Sequence, residues 1–266
     1  MQFYKRMLVV LSSDINDVSV SALGQAIKIA KANNSKITIL KIIPHFSSFL
    51  ISSTDENIIK NNFIVGEKSE LLRLSGLFGN EVDIDTVLSI GDHDIEIKRQ
   101  LSKYEYGLII QFVDGDSWFN QIISDEHYNY ILSASNPLLL VNSRAKRLFD
   151  KVIVMALDAK TFESIELVLP ILSLSNKPSE ICIATIKLNA VIQDESIESK
   201  LKAIATEFHV INSYHEREVL KLISSLESDV LVISGGESSI PLEKIIQKVL
   251  SESDCSVLVM KPSFRT

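Results

Sequence analysis

The sequence predicts an α/β protein made of two tandem doubly wound domains, each with a five-stranded parallel sheet. Short runs that are apolar at every position, such as residues 7–11 and 230–233, are typical of parallel strands covered on both faces. Segments with helical periodicity separate these runs, which is the alternation of a parallel βαβ sheet. The same order of segments then occurs a second time, which predicts two copies of one fold in the 266-residue chain.

The first half of the chain contains five predicted strands. Four are largely apolar runs, and the third, at residues 82–90, is predicted from an alternation that places Val82, Ile84, Thr86 and Leu88 on one side; the others are residues 7–11, 37–43, 108–113 and 137–141. A helix is predicted after the first strand, capped by Asp17 or Ser19 and stopped by Asn33-Asn34. Strand and helix therefore alternate from the start of the chain.

Three further helices are predicted in the same half, at residues 69–78, 94–104 and 122–132. The helix at residues 69–78 is expected to be closed by Gly79-Asn80 in the left-handed conformation. Residues 45–65 have apolar side chains without a clean period, so their structure stays open. A loop that covers a binding site is one interpretation of this stretch.

The strand pattern of the first half returns in the second. Residues 152–157 match residues 7–12, and residues 256–259 match residues 137–140. The spacing between matching strands shrinks along the chain. The second copy is therefore predicted to be shortened after its second strand.

We place the two domains at residues 1–145 and 146–266. Residues 142–148, where they join, are polar and basic. A short basic run can bind nucleic acid or anionic lipid, but a solvated linker is the preferred interpretation because the run lies between two strands.

Composition excludes several classes of protein. The net charge is −7 and the isoelectric point is about 5.3, whereas a protein that binds nucleic acid needs a face rich in lysine and arginine. Cys182 and Cys255 give no disulfide framework, and the five histidines lack the spacing of a metal site. No apolar run approaches the roughly 18 residues of a membrane span. We expect a cytoplasmic protein with no metal, no nucleic-acid partner and no membrane span.

The repeated unit resembles the universal stress protein domain. In the first copy the resemblance is carried by residues 7–43, the Ile90-Gly91-Asp92 turn with the helix after it, and residues 108–110 and 136–141. In the second copy it is carried by residues 152–186 and 229–260. The resemblance implies two flavodoxin-like doubly wound domains and a cytoplasmic role in the response to stress.

Nucleotide-binding members of that family carry an aspartate after the first strand and a G-x2-G-x9-G-[ST] loop after the fourth. The aspartate accepts hydrogen bonds from ribose, and the glycines let backbone amides approach phosphate. In the first copy Ser12 stands in the aspartate position and Phe112 in that of the first glycine. Gly115 keeps the second glycine, and Ser124-Asp125 stand at the last pair. The loop of the first copy therefore departs from the pattern.

The second copy keeps the aspartate, as Asp158, but its loop also departs from the pattern. Gly235 and Gly236 are out of register, because Ser234 and Glu237 occupy the early glycine positions. Glu243-Lys244 occupy the last pair. A carboxylate about 4 Å from a phosphate costs roughly 4 kcal/mol at an effective dielectric constant of about 20. The candidate ligand-binding residues are therefore Gly115, Asp158, Ser234, Gly235 and Gly236, each of which is also explained as a turn or helix-capping residue.

Three functions follow from these observations. The first is a non-enzymatic stress-response or regulatory protein whose nucleotide loop is degraded in both copies, so that no cofactor is required. The second is an ATP-binding switch or slow ATPase that uses Asp158 and the loop from Ser234 to Ser239. The third is a scaffold that binds an apolar ligand or an unknown protein partner.

The fifth strand of each copy lies at a predicted sheet edge. Both are apolar throughout, at residues 138–141 and 257–260, and such edges favour pairing with another strand. The resemblance implies that the two edges meet about a two-fold axis, which in one chain forms an internal pseudo-dimer. A further homodimer is compatible with the sequence.

Overall fold

The computed structural model describes residues 4–11, 17–43, 45, 53–113, 136–155, 180–185, 207–211, 213, 215–234 and 242–260. By its contacts the chain divides into two compact units, Met1–Ile110 and Gln111–Thr266. The predicted helix at residues 122–132 lies outside the described residues. The predicted boundary between residues 145 and 146 stays a prediction.

Unit 1 is a doubly wound α/β sheet with strand order β3-β2-β1-β4. Strands β1 and β2 are parallel with Leu11 opposite Lys41, and β2 and β3 are parallel with Ile43 opposite Ile90. Its elements are β1 Arg6–Leu11, α1 Asp17–Asn33, β2 Lys36–Ile43, α2 Ser53–Phe78, β3 Ile84–Ile90, α3 His93–Leu101 and β4 Leu108–Val113, which runs across the boundary between the units.

Unit 2 has strand order β5-β10-β9-β6-β7-β8. From β10 to β8 all neighbouring strands are parallel. Its elements are β5 Leu138–Asn142, β6 Lys151–Met155, β7 Glu180–Thr185, β8 Glu207–Val210, α4 Glu216–Leu226, β9 Val230–Ser234, α5 Leu242–Glu252 and β10 Ser256–Met260.

The two units repeat one topology, as the sequence predicts. The order β3-β2-β1-β4 in unit 1 corresponds to β8-β7-β6-β9 in unit 2, with β10 as the fifth strand of the second copy. The third strand of that copy, β8, has four residues whereas β3 has seven. The doubly wound α/β class is confirmed.

Burial explains why these segments are strands and helices. Each position from Met7 to Leu11 in β1 is buried, as is each from Ser256 to Met260 in β10. The apolar residues of α5 recur at helical spacing and are at most 8% exposed, namely Leu242, Ile245, Ile246, Val249 and Leu250. Each fully buried aliphatic side chain of this kind contributes about 1.5–3 kcal/mol.

The structure answers an open question about residues 53–65 and contradicts one expectation nearby. Residues 53–65 belong to α2, which spans Ser53–Phe78, so the interpretation of these residues as a covering loop is wrong. The helix period was hidden because α2 has apolar residues on both its buried and its exposed sides. Gly79 also does not have a positive φ, since Gly91 is the glycine with positive φ in the described part of the chain.

The predicted pairing of the fifth strands is confirmed within unit 2. Strands β5 and β10 are antiparallel, with Leu140 opposite Val257 and Leu138 opposite Val259. This pairing explains why β5 clusters with the second copy although it ends the first copy in sequence.

The segment after β5 is tied to α5 rather than free in solvent. Asn142 is buried, and its Nδ2 donates to the carbonyl oxygens of Leu250, at 3.0 Å, and Ser253, at 2.9 Å. Arg144 Nη2 lies 2.8 Å from the Leu250 oxygen and 2.7 Å from the Ser253 oxygen. These donors satisfy carbonyls that the end of a helix leaves unpaired.

Candidate functional site

The strand order of unit 2 has a topological switch point between β6 and β9. The chain continues from β6 to β7 on one side and from β9 to β10 on the other. Met155, the last residue of β6, lies opposite Ile233 of β9, so the carboxyl ends of the two strands are side by side. In open α/β sheets this crevice is where ligands bind.

The predicted ligand residues of the second copy follow these two strands. Ser234 is the last residue of β9 and lies opposite Met260 of β10. Asp158 comes three residues after Met155, and Gly235-Gly236 come directly after Ser234. Asp158, Gly235 and Gly236 lie outside the described residues. The structure therefore brings together the strand ends from which these residues follow.

The strand ends that form the floor of this crevice are apolar. Met155, Ala184, Ile233 and Met260 are each at most 1% exposed. Their side chains offer no hydrogen-bond donor to a phosphate or a ribose. Polar recognition at this crevice would therefore come from the segments that follow the strands.

In unit 1 the corresponding switch point lies between β1 and β4. Ser12, which replaces the family aspartate, follows Leu11 at the end of β1, and Gly115 follows the end of β4 at Val113. Both Ser12 and Gly115 lie outside the described residues.

A buried ion pair that sequence analysis missed lies beside the end of β1. Lys41 of β2 is opposite Leu11, and its side chain is 1% exposed. Lys41 Nζ pairs with Glu67 Oε2 of α2, and the Glu67 side chain is 15% exposed. The signal was present in the sequence as a lysine within the otherwise apolar strand KITILKII. The positive charge of Lys41 is therefore neutralised inside the unit.

The Ile90-Gly91-Asp92 turn, which carries part of the family resemblance, requires its glycine. Gly91 has φ of 155° and its N–H donates to the carbonyl oxygen of Ile43 at 3.0 Å. A Cβ at this position would lie 2.9 Å from Glu96 Oε1. Glu96 itself is buried and accepts a hydrogen bond from Arg99 Nη1 at 2.5 Å. Backbone conformation and close packing both exclude a side chain there.

Unit 2 also has a cavity of about 450 Å³ at the opposite, amino end of its strands. It is bordered by Lys151 and three glutamates, Glu180, Glu207 and Glu227, with Cys182 also in the lining. Burial, and secondarily the charge of Glu207, raises the pKa of Cys182 to about 12. The thiol therefore stays protonated at neutral pH and is a poor nucleophile.

Within the residues that the structure describes, no group of three or more His, Cys, Asp or Glu side chains is arranged to hold a metal ion. The same residues include no helix that is long and apolar enough to span a membrane.

The repeated strand order and its switch points define a doubly wound α/β protein of the flavodoxin-like class. The chain is similar to a universal stress protein from Archaeoglobus fulgidus DSM 4304, with a TM-score of 0.65 and 16% identity over 96% of this chain and 98% of the other. It is also similar to a candidate universal stress protein from Pseudomonas aeruginosa UCBPP-PA14, with a TM-score of 0.61 and 17% identity over 98% and 94%. The chain therefore has the fold of these universal stress proteins over nearly its whole length.

The same fold also occurs in another setting. The cytoplasmic domain of a prokaryotic cation chloride cotransporter has a TM-score of 0.54 and 11% identity over 96% of this chain and 95% of that one. No protein-family model matches the sequence, and no curated protein is similar enough to match. Because one fold serves different functions, the function has to be argued from the site.

Proposed function

We propose that this protein is a non-enzymatic regulatory protein of the universal stress type, acting in the cytoplasm, whose nucleotide loop is degraded in both copies. The observation that carries the proposal is the pairing of Met155 with Ile233 at the switch point of unit 2. This pairing makes the residues after β6 and β9 the natural source of ligand contacts, and those residues include Glu237 and a glutamate, Glu243, at the start of α5.

Electrostatics supports the loss of nucleotide binding. Two like charges 4 Å apart cost roughly 4 kcal/mol at an effective dielectric constant of about 20. That cost corresponds to about three decades of affinity. The apolar floor of Met155, Ile233 and Met260 offers no hydrogen bond to offset it.

Unit 1 supports the same proposal in a different way. Lys41, a cation beside the end of β1, pairs with Glu67 instead of facing the crevice. Ser12 cannot replace the carboxylate that accepts both hydroxyls of a ribose, since a hydroxyl group presents one oxygen.

The experiment is a search for bound nucleotide in the purified full-length protein. The protein is denatured, the released small molecules are separated by chromatography, and thermal unfolding is recorded with and without millimolar ATP. The proposal expects no released nucleotide and no shift of the unfolding midpoint. A ligand at 100 times its Kd would add about 2.7 kcal/mol of stability, so tight binding would be visible and would overturn the proposal.

A loop-repair variant tests the electrostatic reason. Glu237→Gly combined with Glu243→Gly removes both carboxylates, and we expect ATP to stabilise this variant more than the unmodified chain. The double variant Glu180→Gln with Glu207→Gln, at the opposite end of the sheet, removes the same charge and should leave the response to ATP unchanged. Equal responses of the two variants to ATP would contradict the explanation that the carboxylates of Glu237 and Glu243 repel the phosphates.

The second candidate is an ATP-binding switch or slow ATPase that uses Asp158 and the loop beginning at Ser234. It is favoured by the adjacency of β6 and β9, since Ser234 ends β9 and Asp158 comes three residues after the neighbouring end of β6. This candidate predicts stabilisation by ATP that Asp158→Ala removes. Asp150→Ala, at the residue directly before β6, is the control and should retain the stabilisation.

A further inference from the structure

The cavity at the amino end of the unit 2 strands, named here the amino-end cavity, gathers side chains on one face of the sheet. Lys151 of β6 lies opposite Glu180 of β7, and Cys182, two residues further along β7, lies opposite Glu207 of β8. Residues two apart on a strand share a face, and so do residues opposite one another on adjacent strands. These four side chains therefore project to the same side of the sheet. The end of α4, at residues 225–227, completes the lining.

The amino-end cavity has an excess of negative charge. Three carboxylates, those of Glu180, Glu207 and Glu227, stand against the single ammonium group of Lys151. The carboxyl end of α4 adds partial negative charge, because the last carbonyl groups of a helix have no partner within it. The cavity therefore favours a ligand that carries two positive charges.

The ammonium group of Lys151 does not use up the carboxylate oxygens. Its Nζ lies 3.9 Å from Glu180 Oε2 and 3.8 Å from Glu227 Oε2, whereas a charge-assisted hydrogen bond is about 2.7–2.9 Å long. Glu207 Oε2 lies 3.1 Å from His209 Nε2. Since an ionised carboxylate has about four acceptor sites, each of the three glutamates can accept further hydrogen bonds.

The other polar groups of the lining do not supply donors to a ligand. Ser228 Oγ donates to the carbonyl oxygen of Lys151, and Ser225 Oγ donates to that of Leu222, each at 2.9 Å. The Cys182 thiol is 6% exposed and has no hydrogen-bond partner among the residues that the structure describes. A buried polar group of this kind calls for a partner, and a thiol sulfur is a weak acceptor. The complementary ligand is therefore one that supplies N–H donors.

Arrangement and size favour an organic cation over a metal ion. Among the residues that the structure describes, no three acidic, histidine or cysteine side chains are placed to hold one metal ion. The volume of about 450 Å³ is within the range of about 300–1,000 Å³ that small-molecule sites have. Ile153 and Leu226 give the lining an apolar part as well. Separated charges around an apolar surface match a molecule with cationic groups joined by a hydrocarbon chain.

We propose that the amino-end cavity is a binding site for a small aliphatic diamine. Its ammonium groups are held by the glutamates, and its methylene chain lies against Ile153 and Leu226. The three glutamate side chains are more than half exposed, so binding is reversible and sensitive to salt, with an expected Kd of about 0.1–1 mM. This inference is independent of the proposed function, because the cavity and the switch point lie at opposite ends of the strands.

Calorimetric titration of the full-length protein with linear diaminobutane at low salt tests the proposal. The expected result is a single site that added salt weakens. Butylamine, which has one ammonium group, should bind at least about tenfold more weakly, and the uncharged butanediol should not bind. Mg²⁺ tests for simple attraction of any cation to acidic side chains, and it should also bind at least about tenfold more weakly.

Charge variants test which carboxylates are used. Glu180→Gln combined with Glu207→Gln should raise the Kd for diaminobutane at least about tenfold. Glu252→Gln combined with Asp254→Asn is the matched control, since it removes the same charge from exposed side chains just before β10, and it should leave the Kd unchanged.

A filling variant tests the cavity itself without a change of charge. Ser225→Tyr places a ring in the lining and should raise the Kd at least about tenfold, whereas Ser224→Tyr, at an exposed residue outside the lining, should leave it unchanged. The proposal is overturned if diaminobutane at about 10 mM does not bind, or if butylamine or Mg²⁺ binds as tightly. It is also overturned if the Glu180 and Glu207 double variant or Ser225→Tyr binds the diamine as the unmodified chain does.

Discussion

Lys41 and Glu67 form an ion pair inside unit 1 that joins β2 to α2. The Lys41 side chain is 1% exposed and the Glu67 side chain is 15% exposed. Attraction between two charges removed from water opposes the cost of their desolvation, and removing one member leaves the other charge buried without a partner. The two residues therefore have to be considered together, and the first prediction does so.

Removing one member of the pair should destabilise the protein strongly. Glu67→Gln leaves Lys41 buried without its counter-charge, and we expect a loss of about 3–5 kcal/mol in the free energy of unfolding. The double variant Lys41→Met with Glu67→Leu removes both charges and should recover most of this loss. Urea unfolding measures all three proteins. The exposed pair of Lys31 and Glu81, at 2.7 Å, is the control, and Glu81→Gln should cost less than about 1 kcal/mol.

Gly91→Ala should destabilise unit 1 for two reasons. The new Cβ would lie 2.9 Å from Glu96 Oε1, and φ of 155° is strained for a residue with a side chain. The expected loss is about 1–3 kcal/mol by chemical unfolding. Gly24→Ala in α1 is the matched control, since nothing lies within 4 Å of its Cβ position, and it should gain about 0.5–1 kcal/mol. Equal effects of the two substitutions would contradict this account of the turn.

Asn142→Asp should destabilise unit 2. The Asn142 Nδ2 group donates to carbonyl oxygens at the end of α5, and a carboxylate in its place would face those oxygens with a negative charge and no donor. We expect a loss of about 2 kcal/mol or more, because buried carbonyls lose their partner. Thermal unfolding measures it. Lys146→Ala, on the exposed part of the same segment, should change the midpoint of thermal unfolding little. A comparable loss of stability in this variant would contradict the role given to the Asn142 amide at the end of α5.

The stability of unit 2 should depend on pH through Asp229. Burial raises the pKa of Asp229 above its ordinary value, although the N–H groups of Asp150 and Lys151, each 2.9 Å from its oxygens, oppose the change. A carboxyl group whose pKa is higher in the folded state binds its proton more tightly there. Its contribution to stability is therefore full below the unfolded pKa of about 3.9 and is lost as pH rises through the folded pKa.

Urea unfolding between about pH 3.5 and 6 tests this linkage. The free energy of unfolding of Asp229→Asn should improve relative to that of the unmodified protein as pH rises, since the variant has no proton to lose. A difference between the two proteins that stays constant over this range would contradict the raised pKa.

The pattern of residues was sufficient to predict the class of fold. Runs such as residues 7–11 and 256–260 are apolar at every position, and a strand covered on both faces needs such a run. Asn34 ends α1 with φ of 51°, as a residue that tolerates the left-handed conformation should. These features depend on neighbours in sequence, so they can be recognised without the structure.

Helix α2 shows where the pattern fails. Ile58, Val65 and Leu72 face solvent although they are apolar, so the hydrophobic period that identifies a surface helix is blurred. The exposed side of α2 could be identified only after the buried side had been established by packing against the sheet.

The sequence predicted the candidate site residues, of which the structure describes Ser234 at the end of β9. The sequence alone determined that Asp158 comes after β6 and that Glu237 and Glu243 come after β9. It also determined the repeat, since matching segments return in the same order. These properties are set by the chain itself, through residue type and spacing.

Only the tertiary structure decided which distant groups meet. Met155 and Ile233 are neighbours because β6 pairs with β9, and Lys41 pairs with Glu67 because the fold places α2 against the sheet of unit 1. The pairing of the fifth strands was predicted, but the antiparallel register that places Leu140 opposite Val257 was decided by the tertiary structure. The physical reason is that pairing and burial depend on contacts between residues far apart in sequence, and local spacing does not encode those contacts one by one.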